Sequence, residues 1–105
     1  FLLTSVQDGW GMVVTEAMAS GLPVISTYAV ESARVLLDDK ACGILINPNS
    51  VSETIEALEL LIKDKAMRTR MGECAREKSK EYDVVRVARD SAKILLGIHQ
   101  HLRVC

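Results

Sequence analysis

A chain of 105 residues is long enough for one hydrophobic core and short of a two-domain enzyme. Its 13 basic and 14 acidic residues leave a net charge of -1 and form no basic stripe, which excludes an electrostatic footprint for nucleic acid. The apolar runs are only a few residues long, well below the roughly 20 that would span a bilayer.

The chain opens on a short apolar run, Phe1 to Ser5, which suits a buried strand of a parallel sheet better than a half-exposed, alternating one. A turn containing Gly9 and Gly11 leads into good helix formers over Met12–Ser20. Gly21 supplies the left-handed residue that ends such a helix, and Pro23 prevents its continuation. Pro23–Thr27 reads as a second strand, with proline acceptable at its first position. Glu31–Asp38 reads as a short helix with Ala33, Leu36 and Leu37 on one face, and Ile44–Ile46 as a third buried strand. Ser50 and Glu53 have the spacing of a capping box: the serine accepts from the third helical amide while the glutamate reaches back. The helix they open places Ile55, Leu58, Leu61 and Ile62 on one face. Asp64 caps a further helix, in which Met67, Met71, Cys74 and Ala75 recur at helical spacing. Asp83 caps the last one, whose stripe of Val84, Val87, Ala88, Ser91, Ala92, Leu95, Ile98 and Leu102 is longer than a three-stranded core can cover.

Strands alternating with helices call for an α/β fold with a parallel sheet and helical crossovers. Cys42, Cys74 and Cys105 are odd in number and widely spaced, which reads as reduced thiols in a cytoplasmic chain. The chain starts at Phe1, inside a strand and without a methionine, so a fragment of a longer protein is expected.

In such sheets, ligands sit beyond the carboxyl ends of the strands, where a helix N-terminus presents unpaired amides. Residues Asp8 to Met12 occupy that place. Gly9 and Gly11 lack a Cβ, so the backbone around them can approach phosphate oxygens, and the helix dipole adds about half a positive charge. Glu16, about one turn into the helix and on the side of Met12 and Val13, is placed to accept two hydrogen bonds from a vicinal diol. Asp8 would be repelled by phosphate and suits sugar hydroxyls beyond it. A glycine turn between strand and helix is, however, common in α/β proteins and weak by itself.

The run from Gln7 to Thr27 resembles the donor-site motif of the retaining glycosyltransferases of family 4, the large group 1 family with the GT-B fold, whose pattern is E-G-F-G-L-V-x-x-E-A-M-A-x-G-x-P-V-I-x-T. Gly43-Ile-Leu-Ile-Asn-Pro48 is similar to the family's G-L-L-V-x-P strand, and Asp64–Arg76 to its D-x-x-x-R-x-x-M-G-x-x-A-R helix. The resemblance implies that residues 1–105 are a fragment of the C-terminal, Rossmann-like nucleotide-sugar-binding domain, with about three strands, and that the N-terminal domain and first strands lie elsewhere. It implies transfer of a hexose from a nucleotide diphosphate sugar to a saccharide or lipid-linked acceptor, with no metal and no cofactor beyond the donor. On the matching positions, Asp8, Gly9 and Trp10 would bind the donor sugar, Gly11, Met12 and Val13 the diphosphate, and Glu16 the ribose. Asp8 is one methylene shorter than the family's glutamate. Ser32 and Val35 replace the glycine and glutamate of a following family segment, so no role is carried to that loop. The family's remaining donor and catalytic residues lie in parts not included in this chain, so no catalytic residue is assigned and the isolated fragment is expected to be inactive.

Other features have plainer readings. His99 and His101, two apart on a helix, face apart and do not make a metal site with Cys105. Trp10 either lines the sugar pocket or anchors the turn against the core. The arginines 68, 70 and 76 interleave with glutamates and read as a solvated face, with peripheral contact to an anionic membrane as the functional alternative. The competing hypothesis for the whole chain is a noncatalytic module that self-associates through its long last helix and the exposed edge of its first strand. A related GT-B epimerase or phosphorylase is a third.

Overall fold

The computed structural model describes residues 1–104, with side chains described up to His101. The expectations for Cys105 and for the side chain of Leu102 therefore lie outside the described residues.

Strands β1 (Leu2–Leu3), β2 (Val24–Thr27) and β3 (Gly43–Ile46) form a parallel sheet in the order β1-β2-β3. Leu2 stands opposite Ile25, and Val24 to Thr27 stand opposite Gly43 to Ile46. β2 is central and all four of its residues are buried, as a strand covered on both faces requires. Between the strands run α1 (Met12–Ala19) and α2 (Glu31–Leu36), and after them come α3 (Val51–Lys63), α4 (Lys65–Ser79), a short 3-10 turn (Lys80–Tyr82) and α5 (Val84–Val104).

The alternation of side chains along β2 divides the core in two. Val24 packs with Val14 and Met18 of α1, Ala33 and Leu36 of α2, and Leu37 and Cys42. Ile25 faces the other way, with Ile46 of β3 and with Ala57 and Leu61 of α3. α4 joins the two layers: Met71 enters the second cluster and Ala75 the first. It packs on both α1 and α3, and Gly72 makes its approach to α1 possible. A Cβ at Gly72 would run into the carbonyl oxygen of Gly21, in the turn that ends α1. That turn is a Schellman motif in which Leu22 donates to the Ala17 carbonyl and Gly21 to that of Met18, with Gly21 at φ 74°.

Several local readings need correction. The apolar face of α3 is centred on Ala57 and Leu61, while Ile55 and Ile62 are exposed, because the sheet covers only one side of the helix. Ser50 Oγ does accept from the Glu53 amide, at 3.3 Å. The Glu53 carboxylate, however, reaches past Ser50 to Asn47, accepting from its backbone N at 2.6 Å and its Nδ2 at 2.8 Å. Arg68 is not part of a solvated face: Nη1 donates to the carbonyls of Leu61 and Ile62 at 2.7 and 3.1 Å, covering the open C-terminal end of α3. The reading of reduced thiols fails for Cys42 and Cys74, which are joined as a disulfide with Cα atoms 5.2 Å apart. Their 32-residue separation hid a spatial proximity that only the packing of α4 creates.

Asp64 caps α4 through the Met67 amide at 2.8 Å, and Asp83 Oδ1 accepts from the Val85 amide at 2.8 Å, as expected of both. Beyond that cap α5 runs free of the core, its side chains exposed through His101. Among the described residues no helix is long and apolar enough to cross a membrane.

Candidate functional site

The loop from Asp8 to Gly11 lies between the carboxyl end of β1 and the start of α1, and α2 holds it in place. Asp8 N donates to the Ala29 carbonyl at 3.3 Å, Glu31 N to the Gly9 carbonyl at 3.2 Å, and Ser32 N to the Trp10 carbonyl at 2.9 Å. The buried Ser32 hydroxyl donates to the Gly11 carbonyl at 3.0 Å. Three successive carbonyls of the loop are thus turned toward the start of α2 and engaged there, so the surface away from α2 is not lined by their negative ends. Below the loop, Thr27 Oγ1 donates to the Ser5 carbonyl, tying the β1 exit to the end of β2.

Gly11 makes the turn into α1 at φ 74°, ψ 66°. Glycine is required twice over: the left-handed conformation disfavours a side chain, and a Cβ would meet Val30 Cγ1 at 2.7 Å and Ser32 Oγ at 3.3 Å. Gly9 has open space around it. Among the described residues no side chain caps α1, and its first turn holds no acidic residue. The positive end of this helix is therefore presented without an internal anion, the arrangement that favours a phosphate from outside.

Three of the predicted residues share the uncovered side of α1. Val14, Ala17 and Met18 point into the core, which leaves Met12, Val13 and Glu16 on the outer side of α1. Met12 and Val13 are 67% and 43% exposed, so the site is an open face in this chain rather than a closed cavity. Glu16 is exposed, and among the described residues its carboxylate has no ion-pair or hydrogen-bond partner. Asp8 is also exposed, with Ser5 Oγ 3.5 Å from its carboxylate. Trp10 is 42% exposed, with its ring centroid 6.4 Å from that of Tyr82 at an interplanar angle of 39°, so it both leans on the protein and faces solvent. A separate cleft of about 380 Å³, lined by Thr4, Thr27, Asn47 and Thr54 among others, opens on the α3 side of the sheet, away from α1.

The profile of the family described as "Glycosyl transferases group 1" matches residues 1–78. The chain belongs to the group 1 glycosyl transferases. Sulfoquinovosyl transferase SQD2 of Arabidopsis thaliana is 35% identical over 85 residues, which are 79% of this chain and 17% of that protein. The N-acetylgalactosamine-N,N'-diacetylbacillosaminyl-diphospho-undecaprenol 4-alpha-N-acetylgalactosaminyltransferase of Campylobacter jejuni is 30% identical over 97 residues, 92% of this chain and 27% of that protein. This group 1 glycosyl transferase chain thus spans only about a quarter or less of the length of these curated relatives.

Among solved structures, sucrose-phosphate synthase of Thermosynechococcus elongatus superimposes with a TM-score of 0.84 over 95% of this chain and 25% of that one, at 23% identity. The C-terminal domain of a group 1 family glycosyl transferase, LpcC, from Francisella tularensis superimposes with a TM-score of 0.71 over 79% of this chain and 43% of that one, at 28% identity. The three parallel strands and flanking helices are those of a GT-B C-terminal domain.

Sequence reasoning missed the supports of this site. Ser32 stands where the family segment has glycine, and that substitution drew attention away from the position. Its hydroxyl is nevertheless what holds the Gly11 carbonyl, and Val30 is what a side chain at Gly11 would strike. The only signal in the sequence was a small hydroxyl residue at a helix start, which ordinarily reads as a local cap.

Proposed function

We propose that residues 1–105 are the donor-binding part of the C-terminal domain of a retaining hexosyltransferase that uses a nucleotide diphosphate sugar. The observation that carries this reading is the uncapped N-terminus of α1, whose preceding carbonyls are engaged by α2, beside an unpaired Glu16. The amides at Gly11, Met12 and Val13 hold the diphosphate. Glu16 accepts from the two ribose hydroxyls. Asp8, with the backbone of Gly9 and the edge of Trp10, meets the hexose.

Cleavage of the anomeric carbon–oxygen bond leaves the bonding pair on the β-phosphate oxygen and so adds one negative charge to the two that the diphosphate already carries. A helix N-terminus already oriented toward that group stabilises the charge as it develops, without reorganising. That potential comes from the backbone, and no metal or cofactor enters this reading. The acceptor is a saccharide or a lipid-linked sugar, a class represented in the name of the Campylobacter relative. It would be bound by parts of the longer protein, which works in the cytoplasm, in contact with the membrane surface when the acceptor is lipid-linked.

Calorimetric titration of the full-length parent with nucleotide diphosphate sugars tests the reading. Glu16→Ala should weaken donor binding by about tenfold or more, the loss expected for hydrogen bonds to a charged acceptor. Unchanged affinity would remove Glu16 from the ribose site.

A further inference from the structure

Cys74, Lys78 and Tyr82 follow one another at intervals of four residues and so share one side of the C-terminal half of α4 and its 3-10 extension. Each engages a different segment. Cys74 is bonded to the fully buried Cys42 at the entry to β3. Lys78 Nζ lies 2.9 Å from Asp39 Oδ2, in the loop that leads to Cys42. Tyr82 stacks at a tilt against Trp10, in the donor loop. The loop between α2 and β3 also contains Lys40 in a left-handed conformation, φ 58°, which a lysine adopts only when its surroundings hold it. One end of this row is a covalent bond that can open, and the other end touches the donor loop.

We propose that Cys42 and Cys74 form a redox clasp that sets the position of Trp10 through Tyr82, and so couples the thiol state of the chain to donor binding. The donor half of this inference rests on the function proposed above. Opened, the clasp leaves α4 tied to the loop by the Asp39–Lys78 ion pair, a partly exposed contact of small strength, and by the core cluster that Ala75 shares with Leu37 and Cys42. The Cα separation of 5.2 Å lies within the range that a disulfide spans, so closure requires no backbone movement. Cys74 is the more exposed of the pair and is the sulfur that exchanges.

In closing, the Cys74 thiol loses its proton to solvent, and its thiolate attacks an external disulfide such as glutathione disulfide. One external thiolate leaves and a mixed disulfide remains. Cys42 then loses its proton, attacks the Cys74 sulfur and expels the second external thiolate. The chain gives up two electrons and two protons, and the external disulfide becomes two thiols. A dithiol runs the same steps in reverse.

Trp10 is the only tryptophan, so its fluorescence reads the proposed movement directly and without any donor. The experiment uses a Cys105→Ser background, so that thiol titration reads only Cys42 and Cys74, with the protein equilibrated in glutathione disulfide or in dithiothreitol. Reduction should expose two thiols, shift Trp10 emission to the red and raise its quenching by acrylamide. Cys74→Ser, shown to be folded by circular dichroism, should match the reduced protein under both conditions. Tyr82→Ala should give the reduced-type emission in the closed state and shift no further on reduction, whereas a disulfide that served only for stability would leave the emission of the unsubstituted chain in the same position in both thiol states.

In the full-length parent, nucleotide diphosphate sugar should bind at least about fivefold more weakly after reduction, the lower end of ordinary coupling between sites. Failure of the pair to close in the disulfide buffer would overturn the clasp, as would identical Trp10 emission and quenching in the two thiol states. Equal donor affinity in both states would overturn the coupling. A Trp10 response with no donor binding in either state would leave the clasp standing and remove the donor reading.

Discussion

Gly72 and Gly97 both lie within helices, yet the same substitution should act on them in opposite ways. Alanine at either position removes the helix penalty of glycine, worth about 1 kcal/mol. At Gly97, on the uncovered part of α5, the new Cβ has nothing within 4 Å, so the change is neutral or stabilising. At Gly72 the Cβ would overlap the carbonyl oxygen of Gly21, with the Gly21 carbonyl carbon at 3.2 Å. Backbone cannot rotate away as a side chain can, so α4 must withdraw from α1 and loosen the contacts of Met71 and Ala75 in both core clusters. Overpacking of this kind costs about 1–3 kcal/mol, and an immovable partner places Gly72 at the upper end. After the gain in helix propensity the net loss is about 2 kcal/mol, or about 8–16 °C of melting temperature for a domain of this size. Thermal unfolding followed by circular dichroism, under one fixed thiol condition, would measure both variants. If Gly72→Ala melted together with Gly97→Ala and the parent, the proposed close approach of α4 to the turn after α1 would be wrong.

Acid should weaken the fold through two carboxyls. Hydrogen bonds from Asn47, backbone first and side chain second, lower the pKa of Glu53, and the side-chain hydrogen bond from Lys78, followed by the Ala41 amide, lowers that of Asp39. Their stabilisation is full above the unfolded carboxylate range, near about 4, and is lost as pH falls through the lower folded values. Glu53→Gln should therefore be less stable than the parent at neutral pH and should lose less on acidification. Urea midpoints measured from pH 7 downward would show this, and parallel pH profiles would refute it. Ser32→Ala should cost about 1 kcal/mol by leaving the Gly11 carbonyl without its hydroxyl partner. It should also raise amide exchange in the loop from Gly9 to Val13, which hydrogen-exchange mass spectrometry can resolve from a general loss of stability.

What the chain disclosed as a linear sequence was whatever closes within a few residues. The strand, glycine turn and helix of residues 1–20, the Gly21 stop, and the caps at Ser50, Asp64 and Asp83 all rest on contacts of this short range, and their positions could be read directly. The family motif pointed to Met12, Val13 and Glu16, which lie on the uncovered side of α1, for the same reason: one helical turn carries them. The parts left unread depend on segments that meet only after the sheet has formed. Ser32 reaches Gly11 across 21 positions, and Cys74 reaches Cys42 across 32. Pattern and spacing decide which backbone groups a short stretch can satisfy by itself. Which remaining groups find partners, and which stay open for a ligand, is decided by how α2 and α4 are laid against the sheet.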